Sequence, residues 1–158
     1  MSDHPFFTDP VFYNRVRFKT KIPGDRLYTA SHYWMAPEEA ANTWRVGLTT
    51  FATRMLGDMV EHDLELPDDR AIRCGQIIGW MEGFKATSDI YAVINGCFIE
   101  ESPLLQDHLE VLSAQPHGKG WLYRASGDPE PTNYDAKGYA AFLDETIDRM
   151  LGEGYDEP

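Results

Sequence analysis

Residues 80–91 read WMEGFKATSDIY and place one lysine, Lys85, between two segments rich in β-prone residues. These segments predict strands over residues 76–82 and 87–93, so the chain must reverse direction at the lysine. A lysine at the tip of a hairpin projects its long side chain into solvent, where a modifying enzyme can reach it. Lysines are also common on exposed turns, so the spacing alone leaves open whether Lys85 is modified.

Outward from this hairpin, the sequence predicts further short strands separated by turns. They cover residues 28–34, 43–48, 59–64, 72–74, 97–99 and 120–124, with Asn95-Gly96 read as a turn. A two-turn helix is predicted to begin after Thr49 or Thr50 and to end at Gly57, because threonine caps helices and glycine ends them. Strands this short and this closely spaced indicate a small sandwich or barrel.

Helices are predicted to flank the β-rich region. The predicted fold class is therefore mainly β with flanking helices. A short helix is expected to open at Ser102-Pro103 and run through Leu112. A C-terminal amphipathic helix is predicted from apolar residues that recur at three- and four-residue steps before Gly152: Tyr139, Phe142, Leu143, Ile147 and Met150.

The chain divides into three parts. Residues 1–27 show no sustained periodicity and are interpreted as an extension packed on the domain, residues 28–152 as the domain itself, and residues 153–158 as an acidic tail. The extension either covers a sheet edge or serves as a docking element.

Composition and charge exclude several classes of function. The chain has 158 residues, which fits one domain, and its 14 Lys and Arg against 26 Asp and Glu argue against nucleic acid as a partner. No stretch approaches the roughly 20 apolar residues that span a bilayer, and the first residues lack the pattern of a signal peptide. We therefore expect a cytoplasmic protein with no membrane partner.

No catalytic or metal-binding constellation is predicted. The five histidines form no pair at helix or strand spacing, and neither a nucleophile elbow nor a phosphate-binding glycine loop is found. Cys74 and Cys97 lack metal-ligand spacing and are interpreted as reduced thiols, with Cys97 a small buried strand residue.

The sequence around Lys85 resembles the lipoylation motif of glycine cleavage H proteins. Residues 82–92 read EGFKATSDIYA, and the family sequence runs ESVKAASDIYA. Three further blocks are similar to the family and follow the same order: SHYW at 31–34, VGLT through LGDMV within 46–60, and PHGKGWL at 116–122. The resemblance spans about residues 28–150.

The resemblance implies a β-barrel-sandwich hybrid whose lysine, Lys85, carries covalently bound lipoate. Such a protein is a carrier and not an enzyme, because the cofactor supplies the two-electron disulfide chemistry. It also implies that Glu82, Asp89 and Gly96 are read by the lipoate-attaching enzyme. Glu82 and Asp89 can equally be solvated carboxylates that protect a strand edge. Biotin is the rival cofactor, but biotinyl domains place methionine on both sides of the lysine, where this chain has Phe84 and Ala86.

Departures from the family wording bear on the pathway. The N-terminus is longer, Gly83-Phe84 precedes the lysine, and Ser113-Ala114-Gln115 replaces a more acidic segment. This pattern is similar to H-like lipoate-binding proteins of bacterial sulfur oxidation, which predicts a sulfur carrier that works with a heterodisulfide-reductase-like complex. The alternative is a carrier that takes the aminomethyl group from glycine decarboxylase to aminomethyltransferase, with the glycine cleavage P, T and L proteins as partners. A third possibility is an unlipoylated interaction module.

Overall fold

A computed structural model describes residues 4–154 of the chain. The described residues form eleven strands, three α-helices and one 3-10 turn. The strands are β1 Val11–Arg15, β2 Phe18–Ile22, β3 Leu27–Tyr28, β4 Tyr33–Pro37, β5 Thr43–Leu48, β6 Met59–Leu64, β7 Ala71–Ile72, β8 Ile77–Gly83, β9 Thr87–Tyr91, β10 Ile94–Glu101 and β11 Trp121–Pro129. The helices are α1 Thr50–Leu56, α2 Val111–Ala114 and α3 Ala136–Gly152, and the 3-10 turn is Pro103–Leu105.

The strands form three antiparallel sheets. The largest has the order β3-β4-β5-β11-β10-β7, the second has the order β6-β8-β9, and the third is the β1–β2 hairpin. None of these orders closes on itself within residues 4–154, so the architecture is an open sandwich and not a closed barrel. The predicted fold class, mainly β with flanking helices, is confirmed.

The main core lies between the six-stranded and three-stranded sheets. Each sheet turns one face inward, because side chains alternate along a strand. From the three-stranded sheet Ile78, Met81 and Ile90 are at most 2% exposed, and they belong to one apolar cluster with Met35 and Leu122 of the six-stranded sheet. Burial of each such side chain contributes about 1.5–3 kcal/mol to folding. The apolar faces therefore fix which side of the Lys85 hairpin meets solvent.

A second core joins the β1–β2 hairpin and the C-terminal helix to the outer face of the six-stranded sheet. Tyr139, Leu143 and Ile147 of α3 are buried there, which confirms the predicted amphipathic helix. Tyr139 stacks on Tyr28 with ring centroids 4.8 Å apart, and Phe18 of the hairpin meets the ring of Phe51 edge-on at 5.7 Å. Thus α3 and the hairpin share one apolar layer.

The N-terminal segment contains regular structure that the sequence analysis did not predict. Its strands β1 and β2 pair in register from Val11 with Ile22 to Arg15 with Phe18. The inner residues Phe18 and Ile22 are each 1% exposed. A strand pattern was present in alternate residues of β2, but it is only five residues long. Residues 155–158 of the predicted acidic tail lie outside the described part of the chain.

The predicted strand over residues 28–34 is wrong, because the chain reverses within it. His32 adopts a positive φ of 69°, and its N–H donates to the carbonyl of Thr29. The result is a tight β3–β4 connection, with Tyr28 opposite Trp34 in the register. Histidine is among the residues enriched at positive φ, but the aromatic and β-prone composition of the segment concealed the turn.

Two other predictions are corrected. Asn95-Gly96 is not a turn: both residues lie inside β10, opposite Asp128 and Gly127 of β11. The helix predicted from Ser102 to Leu112 is interrupted, since only the 3-10 turn and the short α2 form. Ser102 does cap the 3-10 turn, as its hydroxyl accepts from the Leu104 N–H. No helix among residues 4–154 is long and apolar enough to cross a membrane.

Candidate functional site

Lys85 lies at the tip of the β8–β9 hairpin, as predicted. Strand β8 ends at Gly83 and β9 begins at Thr87, and the Gly83 N–H donates to the Ala86 carbonyl across the reversal at 2.8 Å. Lys85 is exposed and Phe84 beside it is 82% exposed. The tip therefore presents an amine on a four-carbon stem and one apolar ring to solvent.

The backbone of this tip is fixed to the C-terminal end of α1. The Lys85 N–H donates to the Leu56 carbonyl at 2.9 Å, and the Phe84 N–H donates to the Asp58 carbonyl at 3.0 Å. The last carbonyls of a helix find no N–H donor within the helix itself, so the hairpin tip satisfies one of them. The lysine side chain makes one long contact, from Nζ to the Arg54 carbonyl at 3.4 Å. The tip thus combines a fixed backbone with a loosely held side chain.

Two glycines make this close approach possible. A Cβ atom on Gly83 would lie 2.1 Å from the Leu56 carbonyl oxygen. Gly57 has a φ of 78°, and a Cβ there would lie 3.0 Å from Cγ and 3.1 Å from N of Lys85. The sequence identified Gly57 only as the residue that ends α1. Its second role, leaving room for Lys85, depends on a long-range contact that local patterns do not reveal.

Two clefts border α1 beside the tip. A polar cleft of about 420 Å³ is lined by Thr53, Arg54, Asp58, Lys85 and Ser113 among others. A smaller apolar cleft of about 170 Å³ is lined mainly by side chains of α1 and of the sheets, including Tyr33, Leu56, Met81, Ser88 and Tyr91. Ser88 and Tyr91 belong to the strand that follows Lys85. A flexible group on Lys85 therefore has room along the protein surface.

The structure brings Glu82 and Asp89 to the same outer face of the three-stranded sheet, on either side of Lys85. Glu82 is paired with Glu61, and Trp80 is paired with both Asp63 and Asp89. Paired residues share a face, so four carboxylates lie outward: Glu61, Asp63, Glu82 and Asp89. Among the described residues none of the four forms an ion pair. The lysine therefore stands above an acidic face.

Gly96 is not brought together with these residues. It lies in β10 of the six-stranded sheet, paired with Ile72 and Gly127. A Cβ at this position would lie 1.9 Å from the Ser126 carbonyl oxygen. Close backbone approach to β11 is therefore a structural reason for glycine here, and the predicted role of Gly96 in ligase recognition stays a prediction.

The histidines and cysteines occupy structural or isolated positions. Burial, with a smaller contribution from the positive charge of Arg149, lowers the pKa of His32 to about 4. Burial also lowers the pKa of His117 to about 4, and its Nε2 accepts from the Thr50 N–H. Cys97 is exposed, so its interpretation as a buried residue is wrong, because its strand position faces away from the core. Within residues 4–154 no cluster of three or more potential ligands could hold a metal ion.

Comparisons with known proteins agree with this geometry. The family model described as glycine cleavage H-protein matches residues 26–141. The glycine cleavage system H protein of Alteromonas mediterranea is 38% identical over 130 residues, which are 80% of this chain and 98% of that protein. A glycine cleavage system H protein of Thermus thermophilus is 37% identical over 128 residues, covering 78% of this chain and 96% of the relative.

A solved structure gives the same result. The crystal structure of a glycine cleavage system H protein from Mycobacterium marinum superposes with a TM-score of 0.68 at 33% identity, covering 78% of this chain and 99% of that one. The β1–β2 hairpin lies before the segment that the family model matches.

Proposed function

The chain belongs to the glycine cleavage H-protein family, and we propose that Lys85 is the residue that bears its lipoyl group. Proteins of this family carry lipoate covalently on a lysine and act as carriers, not as catalysts themselves. One observation supports the assignment to Lys85: this lysine lies at the tip of the β8–β9 hairpin and is exposed, with its Nζ atom 3.4 Å from the Arg54 carbonyl oxygen.

The residues around Lys85 are compatible with a lipoyl group on this lysine. Attachment of lipoate needs a primary amine that an enzyme can reach, and the Lys85 amine forms no ion pair with any described residue. Acylation removes its positive charge, and a cleft of about 420 Å³ lies beside the amine. When bound, lipoate supplies a two-electron disulfide chemistry that takes up and releases the transferred group.

The protein's own contribution is position. The two backbone hydrogen bonds from the tip to Leu56 and Asp58 fix where the arm begins, and the long side chain of Lys85 leaves its far end free to sweep. A carrier needs both properties, since it must present one group to several enzymes from a constant origin. Phe84 adds an exposed ring next to the arm.

We propose that the arm carries the aminomethyl group from glycine decarboxylase to aminomethyltransferase. The relatives reported above are named for the glycine cleavage system, and the family implies the P, T and L proteins and a lipoate-attaching enzyme as partners. The expected role in sulfur oxidation, with a heterodisulfide-reductase-like partner, receives no support from these comparisons. The alternative stated from the sequence is therefore the better supported of the two.

Glu82 and Asp89 are proposed as the carboxylates that guide the lipoate-attaching enzyme. Their outward position on both sides of the lysine supports this role. We expect Glu82→Gln and Asp89→Asn each to slow lipoylation of purified apoprotein several-fold, because charged groups at the rim of an interface act mainly on association. Glu61→Gln, on the neighbouring strand of the same face, is the matched control. Equal rates for all four proteins would assign the carboxylates to edge protection alone.

Reconstituted turnover tests the function. The lipoylated chain is supplied to glycine decarboxylase, aminomethyltransferase and dihydrolipoyl dehydrogenase of the same organism, with tetrahydrofolate as acceptor of the aminomethyl carbon and NAD+ as acceptor of the electrons, and glycine-dependent NADH formation is measured. We expect turnover with the wild type and none with Lys85→Arg, which keeps the charge but offers no acceptor amine. A lipoylated wild type that supports no turnover with otherwise competent enzymes would reject the glycine pathway and restore the sulfur-carrier hypothesis.

A further inference from the structure

The β1–β2 hairpin concentrates positive charge in an acidic protein. Residues 11–22 contain four of the 14 Lys and Arg of the chain and none of its 26 Asp and Glu. Arg15 is used internally, since it forms ion pairs with Asp144 and Asp148 of α3. Among residues 4–154, no ion pair involves Arg17, Lys19 or Lys21. These three charges are therefore available to a partner.

The outer face of the hairpin also exposes apolar surface. Phe12 is 78% exposed and lies opposite Lys21, whose Nζ is 5.7 Å from the centre of the ring. Lys19 lies opposite Asn14 on the same exposed face. Large exposed aromatic side chains are enriched at interaction surfaces, and cations beside them can steer an acidic partner.

The tip of the hairpin departs from what hairpin stability favours. Val16 has a φ of 54° and is 59% exposed. Two-residue hairpin turns favour asparagine or glycine at such a position, and a β-branched side chain there is strained. Because more than half of this side chain is exposed, its burial against the described residues offsets little of the strain. A contact outside the chain would explain why an apolar residue stands at the tip.

The hairpin is close to the lysine tip. Its inner residue Phe18 lies under the guanidinium of Arg54, 5.9 Å from the ring centre. The carbonyl of the same Arg54 accepts the contact from Lys85 Nζ. Arg54 of α1 thus connects the two sites. An enzyme that binds the arm at Lys85 can therefore also contact the β1–β2 hairpin on the other side of α1.

We propose that the β1–β2 hairpin docks an acidic patch of an enzyme that acts on the Lys85 arm, with Phe12 and Val16 entering an apolar pocket beside that patch. The inference rests on the proposed carrier function. Charge complementarity selects a protein with a local acidic patch over a nucleic acid or an anionic membrane, because the carboxylates of the remaining chain repel an extended polyanion. The hairpin precedes the segment matched by the family model, so the docking element adds to the family's common surface.

The test measures KM and kcat of each partner enzyme for the lipoylated full-length chain. We compare Lys19→Glu/Lys21→Glu with Arg73→Glu/Lys137→Glu, an exposed pair elsewhere that changes net charge equally. For at least one enzyme the hairpin variant should raise KM about tenfold with kcat unchanged, and the effect should shrink at high salt. The control pair should leave KM within about twofold.

Two single variants separate docking from folding. Phe12→Ala should raise KM without lowering the melting temperature. Val16→Asn should raise the melting temperature, since asparagine relieves the strained φ, and yet raise KM. A structural role alone would move stability and KM together.

The outcomes distinguish the two proposals. A wild type that turns over normally while every hairpin variant keeps its KM overturns the docking inference alone. A wild type that accepts no lipoate or supports no turnover overturns the carrier function, and the docking inference falls with it. Concentration-dependent dimerisation lost in Lys19→Glu/Lys21→Glu, with KM unchanged, would assign the hairpin to a second copy of the chain and also overturn the inference.

Discussion

Two antiparallel hairpins of this protein, β8–β9 and β1–β2, have opposite character. The first lies within the segment matched by the family model, ends in Lys85 and carries an acidic outer face. The second lies before that segment, has no carboxylate and exposes cations and a phenylalanine. Arg54 of α1, which lies between the two regions, contacts both. We therefore expect holding the arm and selecting a partner to be separable tasks.

Substitution of one buried residue under each hairpin should give the largest change in stability, and it tests this separation. Phe18→Ala removes a ring that is 1% exposed, and Ile90→Ala empties a fully buried position in β9. We expect the free energy of unfolding, measured by urea denaturation, to fall by about 3–5 kcal/mol in Phe18→Ala and by about 2–5 kcal/mol in Ile90→Ala.

The two variants should differ in lipoylation. At a temperature where both are folded, Ile90→Ala should slow the lipoylation of Lys85, because it loosens the strand that follows the lysine, and Phe18→Ala should not. Equal slowing in both variants would show that the hairpins are not separable.

The second test uses pH, because the ring of His32 packs against the core beneath the β1–β2 hairpin. Its ring lies 4.6 Å from that of Phe51, and its Nδ1 is 2.8 Å from the Tyr139 hydroxyl. The pKa of His32 is about 4 in the folded protein, and its ordinary value is 6.5. As the pH falls, His32 is therefore protonated in the unfolded chain before it is protonated in the folded protein. Its contribution to stability is therefore complete above pH 6.5 and declines as the pH falls towards 4.

The variant His32→Asn isolates this titration, since asparagine also tolerates the positive φ at this position. The wild type should be the more stable protein at pH 7, and its advantage over the variant should shrink by about 2 kcal/mol by pH 5. Urea unfolding at several pH values measures the difference. A difference that stays constant between pH 7 and pH 5 would contradict a His32 that stays neutral in the folded protein.

The smallest expected effect compares two glycines with similar positive φ. Gly57 and Gly75 both have positive φ, 78° and 89°, but only Gly57 lies beside Lys85, whereas a Cβ on Gly75 would meet nothing within 4 Å. Alanine at either position should cost about 1–2 kcal/mol of stability. Only Gly57→Ala should also slow lipoylation, because the new methyl group displaces the Lys85 backbone and Cγ. If Gly75→Ala slowed lipoylation to the same extent, the effect would be explained by lost stability alone.

Much of the fold could be predicted because local chemistry agreed with it. Thr49 caps α1, and Gly57 ends that helix. The apolar stripe of α3 and the reversal at Lys85 were likewise visible as spacing in the sequence. The family assignment added the chemistry of the arm, which spacing could not supply.

The remaining features depend on long-range contacts. The reversal at His32 is held by packing on Phe51 and Tyr139, and it looks like a strand in isolation. Asn95-Gly96 has the composition of a turn but is held in β10 by pairing with β11. The β1–β2 hairpin is too short to show periodicity, and it is stabilised by α3 through a hydrogen bond from the Tyr13 hydroxyl to Asp144. Sequence patterns report local preference, so they missed all three.

Mass spectrometry of the intact chain shows whether Lys85 bears the lipoyl group. The protein is produced in a lipoate-replete host, its mass is measured, and the modified peptide is sequenced. We expect one lipoyl or octanoyl increment, located on Lys85 and absent from Lys85→Ala and Lys85→Arg. An unmodified wild type under these conditions, or an increment that persists in both variants, would contradict this expectation.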